Sequence, residues 1–355
     1  MKIGIIGLPQ TGKKALFELL TGHKPSENEV ASGKPIHGVA EIRDSRFDYL
    51  VGMYKPKKEV RARIEIELLP KIEKDAISKG EIFEDIAQLD ALCHVVRAFK
   101  DESIYHVSGS VDPSRDIDAI NSELILHDLI FIEKRSERLD KKVKQTKEEA
   151  SIKEKGLLAK LKAHLDKELP LRLLELNADE KKAIAGYPFL TRKEMIRVLN
   201  VSEGQLKERQ LVKGSMDEAA TANTMRVSAK VEAEVAGLES ERERKEFLAA
   251  LGIDEPAINI LTRLCLGALK LVSFFTVGPD EVRQWNVRAG STAVEAAGAI
   301  HSDLQKGFIR AELIKFDDIK KLGGEDAVKA QGKFYLKGKE YIVEDGDILS
   351  IRFNV

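Results

Sequence analysis

The stretch Gly7-Leu8-Pro9-Gln10-Thr11-Gly12-Lys13 constrains this chain more than any other. It fits the pattern G-x-x-x-x-G-K, it follows the short apolar run Ile3 to Ile6, and Leu16, Phe17, Leu19 and Leu20 come after it at helical spacing. Strand, glycine loop and helix in that order make a phosphate-binding loop. Gly7 and Gly12 let backbone N–H groups turn inward on phosphate oxygens, the following helix presents its positive end, and Lys13 adds a mobile charge. The expected phosphate contacts are Gly7, Pro9, Gln10, Thr11, Gly12, Lys13, Lys14 and Ala15. One position breaks the pattern: Lys14 stands where a Ser or Thr would hold magnesium.

A chain of 355 residues has the length of two or three domains and a substantial core. Its 58 basic and 59 acidic residues nearly cancel, which excludes a uniformly cationic nucleic-acid binder and leaves any RNA contact to a local patch. Cys93 and Cys265 both lie in apolar surroundings, as reduced core thiols do, and suggest neither a disulfide nor a zinc site. The chain enters a strand with no apolar leader, and its most apolar stretch, Leu124 to Ile132, is broken by His127 and Asp128. A cytoplasmic protein with no membrane contact is the expectation.

Beyond the first helix, Thr21 to Pro35 reads as an irregular loop of the switch kind. Arg61 to Leu69 alternates as a half-exposed strand at the border of the sheet, and Leu89 to Phe99 reads as a buried parallel strand. From Asp116 to Glu168 the composition shifts to helix formers dense in charge. Apolar positions recur there at helical spacing, with a turnaround around Ser151, which predicts an antiparallel coiled-coil hairpin. Short strands at Met195 to Leu199 and Met225 to Ala229 resume the sheet, and a helix follows from Val231 to Leu251. From Val272 onward short strands separated by Gly and Pro, with a helix near Ala293 to Ile300, form a small α+β module.

Four C-terminal blocks then come in order: Phe274 to Arg283, Ala296 to Asp303, Lys306 to Ala311, and Tyr341 to Asp347. With His94 to Phe99 and His106 to Gly109 they resemble the YchF, or Obg-like, ATPases over essentially the whole chain. The resemblance implies an α/β fold: a P-loop NTPase (GTPase-like) sheet with helices on both faces, an inserted antiparallel coiled-coil hairpin and a C-terminal β-grasp (TGS-like) α+β domain. The divisions expected are 1–115 with 191–271 for the nucleotide-binding domain, 116–190 for the hairpin and 272–355 for the TGS-like domain.

The same resemblance implies base contacts from Asn200 and Glu203, an N-x-x-E that relaxes guanine recognition toward adenine, and from Ser228 and Ala229. It implies His106 as the catalytic candidate, on a mobile loop, since a histidine can orient or deprotonate water near neutral pH. ATP or GTP is the implied ligand, and the ribosome or RNA the implied partner, without DNA specificity. Arg283, Trp285, His301, Lys306, Phe308 and Arg310 bring cations and aromatics together as RNA-contact candidates.

Three departures weaken the metal side. Lys14 replaces the magnesium-binding hydroxyl, Leu68-Leu69-Pro70-Lys71 has neither the Asp nor the Gly of D-x-x-G, and no threonine occurs between Thr21 and Thr146. The glycine-rich stretch around Ser78-Lys79-Gly80-Glu81 is also shortened. No metal ligand is expected and magnesium is doubtful, so hydrolysis is expected to be weak or lost, because phosphoryl transfer depends on positioning and charge neutralisation. Besides this reading of a nucleotide-binding regulatory factor, an active slow ATPase or GTPase and a nucleotide-free RNA-binding scaffold stay open.

Overall fold

The computed structural model describes residues 1–72, 81–146, 148–206 and 223–354. Most of the shortened stretch around Ser78 lies outside the described residues. Residues Met1–Gly38 with Glu65–Asp254 form one compact unit, and Val39–Ile64 with Glu255–Val355 form the other. The described strands are β1 (Lys2–Ile6), β2 (Ile36–Glu41), β3 (Lys58–Val60), β4 (Arg63–Leu68), β5 (Ala91–Arg97), β6 (Glu194–Asn200), β7 (Thr224–Val227), β8 (Leu271–Thr276), β9 (Glu281–Arg288), β10 (Phe308–Lys315), β11 (Tyr335–Lys337) and β12 (Asp347–Phe353).

The first sheet runs β2-β4-β1-β5-β6-β7. Its inner strands pair in parallel, with Ile3 opposite Ile66 on one side and Ala91 on the other. Such strands are covered on both faces, which is why all seven residues of β5 are buried. Arg63–Leu68 does not border the sheet as expected, because β2 lies outside it; the alternation of that strand gave no sign of its neighbour. Ile6, Leu92 and Met195 share one face with Phe83, Ile86 and the start of the long helix Pro113–Thr146, through Ile120 and Leu124. On the chain side, strand order reverses at β1, with β4 to one side and β5 to the other. The crevice at the carboxyl ends of these strands is where open α/β sheets place ligands.

Thr21 to Pro35 is not wholly irregular. Ser26 accepts from Glu29 N while the Glu29 carboxylate accepts from Ser26 N, a capping box that opens the helix Glu27–Ala31. Polar cap residues that look like loop composition in the sequence are what start this helix.

The long helix turns back into Glu149–Leu165. Ion pairs Arg135–Glu154 and Lys142–Glu148 advance along one helix as they retreat along the other, so the two are antiparallel. The break falls between Thr146 and Glu149, ahead of the expected turnaround at Ser151, which is buried within the second helix. Ile132, Leu139, Leu158, Leu161 and Leu165 form the hairpin's own apolar seam. Its base is fixed by Asp128, fully buried, whose carboxylate accepts from Leu190 N and Thr191 N, both at 2.9 Å, and from Thr191 Oγ1 at 2.6 Å.

The expected helix from Val231 to Leu251 is two helices, Ala229–Gly237 and Glu241–Leu251, the second opened by a capping box on Ser240. In the other unit the sheet runs β11-β10-β12-β8-β9-β3, mixed in direction, with helix Ala293–Ile300 burying Ala293, Ala296 and Ala297 against Phe274, Leu313 and Leu349. Here β3, from the first quarter of the chain, pairs with β9. Tyr341 to Val343 forms no strand; Ile342 makes a single bridge to Thr292.

Candidate functional site

The loop after β1 is shaped by its glycines. Gly7 has φ +149° and Gly12 φ +94°, conformations that L side chains rarely adopt. A Cβ on Gly7 would strike Val95 O, and one on Gly12 would strike the Asn200 amide nitrogen. Gln10 also holds a positive φ of 60°. Gly12 caps helix Lys13–Thr21, whose Leu16 and Phe17 anchor it to the core.

Asn200, at the end of β6 and almost fully buried, ties this loop to its neighbours. Its Nδ2 donates to Thr11 O at 3.0 Å, and its Oδ1 accepts from Ala229 N at 3.1 Å. Its backbone oxygen accepts from Ala98 N and Phe99 N. Ser228 caps the helix that begins at Ala229, with its hydroxyl accepting from Val231 N at 3.4 Å. Asn200, Ser228, Ala229 and the loop are therefore brought together. Glu203 is exposed at the start of the short helix Glu203–Leu206 and does not line the cavity described next.

A cavity of about 770 Å³ opens over the loop, lined by Leu8 to Ala15, Val30, Ala31, Gly33, Lys34, Ile36 and Leu68 to Lys71. All of the expected phosphate contacts except Gly7 line it. Gly7 sits beneath: its carbonyl accepts from the Lys13 ammonium, which also reaches Leu8 O at 3.3 Å. Burial, then the charges of Lys14 and Lys71, hold the Lys13 pKa down to about 7. This lysine is folded back on its own loop.

Magnesium requires hard oxygen donors in near-octahedral array. Among the described residues no Asp or Glu lines the cavity, and the Thr11 hydroxyl donates to Leu8 O at 3.1 Å. Nor does any group of three or more His, Cys, Asp or Glu among the described residues form a metal site. These donors do not fit the ion.

His106 lies away from the surface. It is buried, with Nε2 at 2.9 Å from Asp116 Oδ2 and Nδ1 accepting from Ser108 N at 3.1 Å, so both ring nitrogens are engaged. Asp116 also accepts from Arg115 at 2.8 Å. His106 is not among the cavity's lining residues. The loop before it is organised by Arg97, whose buried guanidinium donates to the carbonyls of Phe99, Asp101, Ile104 and Tyr105 and lies 4.6 Å over the Phe99 ring. Sequence reading passed over Arg97, although a charged residue closing an apolar strand is its visible signal. His94, on the same strand, is held neutral with a pKa lowered to about 3, by burial first and then by Arg197, Lys13 and Arg172.

In the other unit, Arg283 stacks 4.0 Å over the half-buried Trp285 ring, whose Nε1 donates to Thr276 Oγ1 at 3.0 Å. His301 is exposed and caps the short helix Ser302–Lys306 by accepting from Asp303 N; Lys306 and Arg310 are exposed. Phe308 is not available to stack on a base, because the first residue of β10 turns into the core with Phe274 and Leu313. Its apolar neighbours in space, absent from its neighbours in sequence, decide this.

A family model, YchF-GTPase_C, described as a protein of unknown function (DUF933), matches residues 271–354. The ribosome-binding ATPase YchF of Bacillus subtilis (strain 168) is 41% identical over 364 residues, covering 99% of this chain and 99% of its own length. Obg-like ATPase 1 of Oryza sativa subsp. japonica is 35% identical over 366 residues, covering 100% of this chain and 92% of its own. The solved structure of the Schizosaccharomyces pombe YchF GTPase matches with a TM-score of 0.81 at 29% identity, over 99% of this chain and 97% of that one. The similarity thus runs along the full length of the chain, and the chain belongs to the YchF family of Obg-like ATPases.

Proposed function

We propose that this protein binds a nucleotide, ATP at least as well as GTP, over the loop Gly7 to Lys13 and acts in the cytoplasm as a ribosome-associated regulatory factor with weak or lost hydrolysis. The observation that carries the first part is the cavity of about 770 Å³ over that loop, with the buried Lys13 at its floor. A concave site of this size suits a small ligand, and a glycine loop with a helix N-terminus suits phosphate. The relatives support nucleotide binding and ribosome association: one is a ribosome-binding ATPase, another an Obg-like ATPase. The misfit of the donors to magnesium argues for weak hydrolysis, since the metal neutralises charge in phosphoryl transfer. No helix among the described residues is long and apolar enough to cross a membrane.

Thermal shift with ATP and GTP tests nucleotide binding, because a ligand at a hundred times its Kd adds about 2.7 kcal/mol of stability. The expected result is stabilisation by ATP at least equal to that by GTP; no shift with either overturns the reading. For the partner, Arg283 stacked on Trp285, with Lys306 and Arg310 exposed, supports an RNA-facing surface. Sedimentation with ribosomes at rising salt should show co-migration that weakens as salt increases. Absence of co-migration even at low salt removes the ribosome from the proposal.

A further inference from the structure

The two faces of the second sheet are covered to different extents. Phe274, Leu313 and Leu349 turn to the face under helix Ala293–Ile300, while Phe275, Ile314 and Ile348 turn to the other, where Phe47, Leu50 and Phe316 pack on them. Farther along that second face Glu312 stands opposite both Leu336 on β11 and Ser350 on β12, and Arg310 stands opposite Arg352. Leu336, Ser350, Arg310 and Arg352 are all exposed. One half of this face is core and the other is open.

Two features of the open half do nothing for the core. Like charges directly opposite each other on neighbouring strands destabilise a sheet, and Arg310 and Arg352 are such a pair. The register also slips by one residue between Phe308 and Arg310, a bulge that leaves Ile309 unpaired and 55% exposed beside them. Bulges re-aim side chains and gather next to functional sites. Glu312 is mostly covered and accepts from Arg352 Nε at 2.8 Å. Among the described residues the two terminal nitrogens of Arg352 make no hydrogen bond, so Glu312 holds the guanidinium by its inner edge.

We propose that Arg310 and Arg352 close on a phosphodiester of RNA at the open half of this sheet face, with Glu312 as the positioning residue that turns the Arg352 fork outward. This rests on the reading that the second unit faces RNA, and goes further by placing the contact. The pair lies on the face opposite the Arg283–Trp285 stack, because Trp285 stands across from Phe274 on the helix-covered face. Residues opposite each other on antiparallel strands have Cα atoms about 4.5–5.5 Å apart, so two guanidinium groups can reach one phosphate. Each meets phosphate oxygens through parallel N–H bonds, and the anion turns the repulsion between them into shared attraction. Exposed apolar neighbours flank the cations: Ile309 beside Arg310, and Phe353, 42% exposed, beside Arg352. Cations interleaved with surfaces on which bases can lie favour single-stranded RNA over an acidic peptide.

Fluorescence anisotropy of the full chain with a labelled single-stranded oligouridylate, over a salt series, tests the proposal. Wild type should bind. The double variant Arg310→Ala with Arg352→Ala should lose about tenfold or more in affinity, and its plot of log affinity against log salt should flatten by about 0.7 for one lost phosphate contact. Arg310→Glu should lose binding while melting at or above the temperature of wild type, since it sets opposite charges across the strands. Glu312→Ala makes the patch more positive, yet should bind RNA more weakly; tighter binding overturns the positioning role.

Binding undiminished in Arg310→Glu, with a loss confined to Arg283→Ala, overturns the proposal and leaves the RNA-facing reading intact. Displacement of the RNA by polyglutamate as readily as by unlabelled oligouridylate overturns the choice of a phosphodiester over a carboxylate. Co-sedimentation with ribosomes in the absence of oligouridylate binding overturns the proposal and leaves ribosome association standing. Absence of both removes the two together.

Discussion

The Asn200 side-chain amide donates to Thr11 O at 3.0 Å, joining the end of β6 to the glycine loop after β1 across 189 residues of sequence. The same amide's oxygen accepts from Ala229 N, so one buried side chain sets the spacing between the glycine loop and the segment at Ser228 and Ala229. Asn200→Ala leaves a buried acceptor and a buried donor without partners, each costing about 1–3 kcal/mol. Urea unfolding should show a loss in that range or above, and ATP affinity should fall. Asn200→Asp retains the Ala229 bond and loses the donor to Thr11, and its stability should lie between the two.

Lys13 should give the free protein an unusual alkaline stabilisation. Its folded pKa is lowered from 10.5 to about 7, so between those values the unfolded chain holds a proton that the folded chain has released. Stability therefore rises with pH through that window, is complete above the unfolded value and is lost as pH falls to the folded one. Thermal melts of wild type against Lys13→Met should diverge in favour of wild type from pH 7 to pH 10. Curves that stay parallel would show that Lys13 is charged in the folded state. The variant should also lose ATP binding.

His106 is expected to work as a clasp. Its ring links Asp116 to Ser108 N and is buried, so His106→Ala should lower stability by about 1–3 kcal/mol through the unpaired groups it leaves. Phosphate release from ATP should be no lower in the variant than in wild type. A fall of tenfold or more in a variant that remains folded would restore its candidacy as a catalytic residue.

Asp128 holds the hairpin to the sheet. Asp128→Ala strips Leu190 N, Thr191 N and Thr191 Oγ1 of their shared acceptor, and hydrogen bonds to a charged group contribute about 1.5–3 kcal/mol. Denaturant unfolding should show a loss of several kcal/mol, and hydrogen exchange should quicken at the Leu190 and Thr191 amides. Protection retained at those amides would mean that the apolar contacts alone hold the hairpin base.

Arg283→Ala and Trp285→Ala test the surface proposed to face RNA. Because Arg283 stacks 4.0 Å over Trp285, the two should be non-additive: either variant alone should weaken ribosome co-sedimentation almost as much as both. Phe308→Leu, a change inside the core, should alter stability and leave co-sedimentation unchanged.

Local pattern was enough to fix the glycine loop, the buried run of β5 and the amphipathic hairpin, because each depends on the spacing of residues along a single stretch. A turn that needs positive φ at Gly12 and a strand buried on both faces write themselves into consecutive positions. That Lys14 stands where the loop pattern has Ser or Thr was equally visible. Tertiary structure alone decided what depends on distant segments meeting. It placed Lys34 and Lys71 beside Lys13, set β2 outside β4, paired β3 with β9, sank His106 against Asp116 and turned Phe308 inward. Sequence carries the residue types for all of these, but charge repulsion, burial and hydrogen bonding act through space, and a lysine reads the same along the chain whether it faces bulk water or lines a cavity.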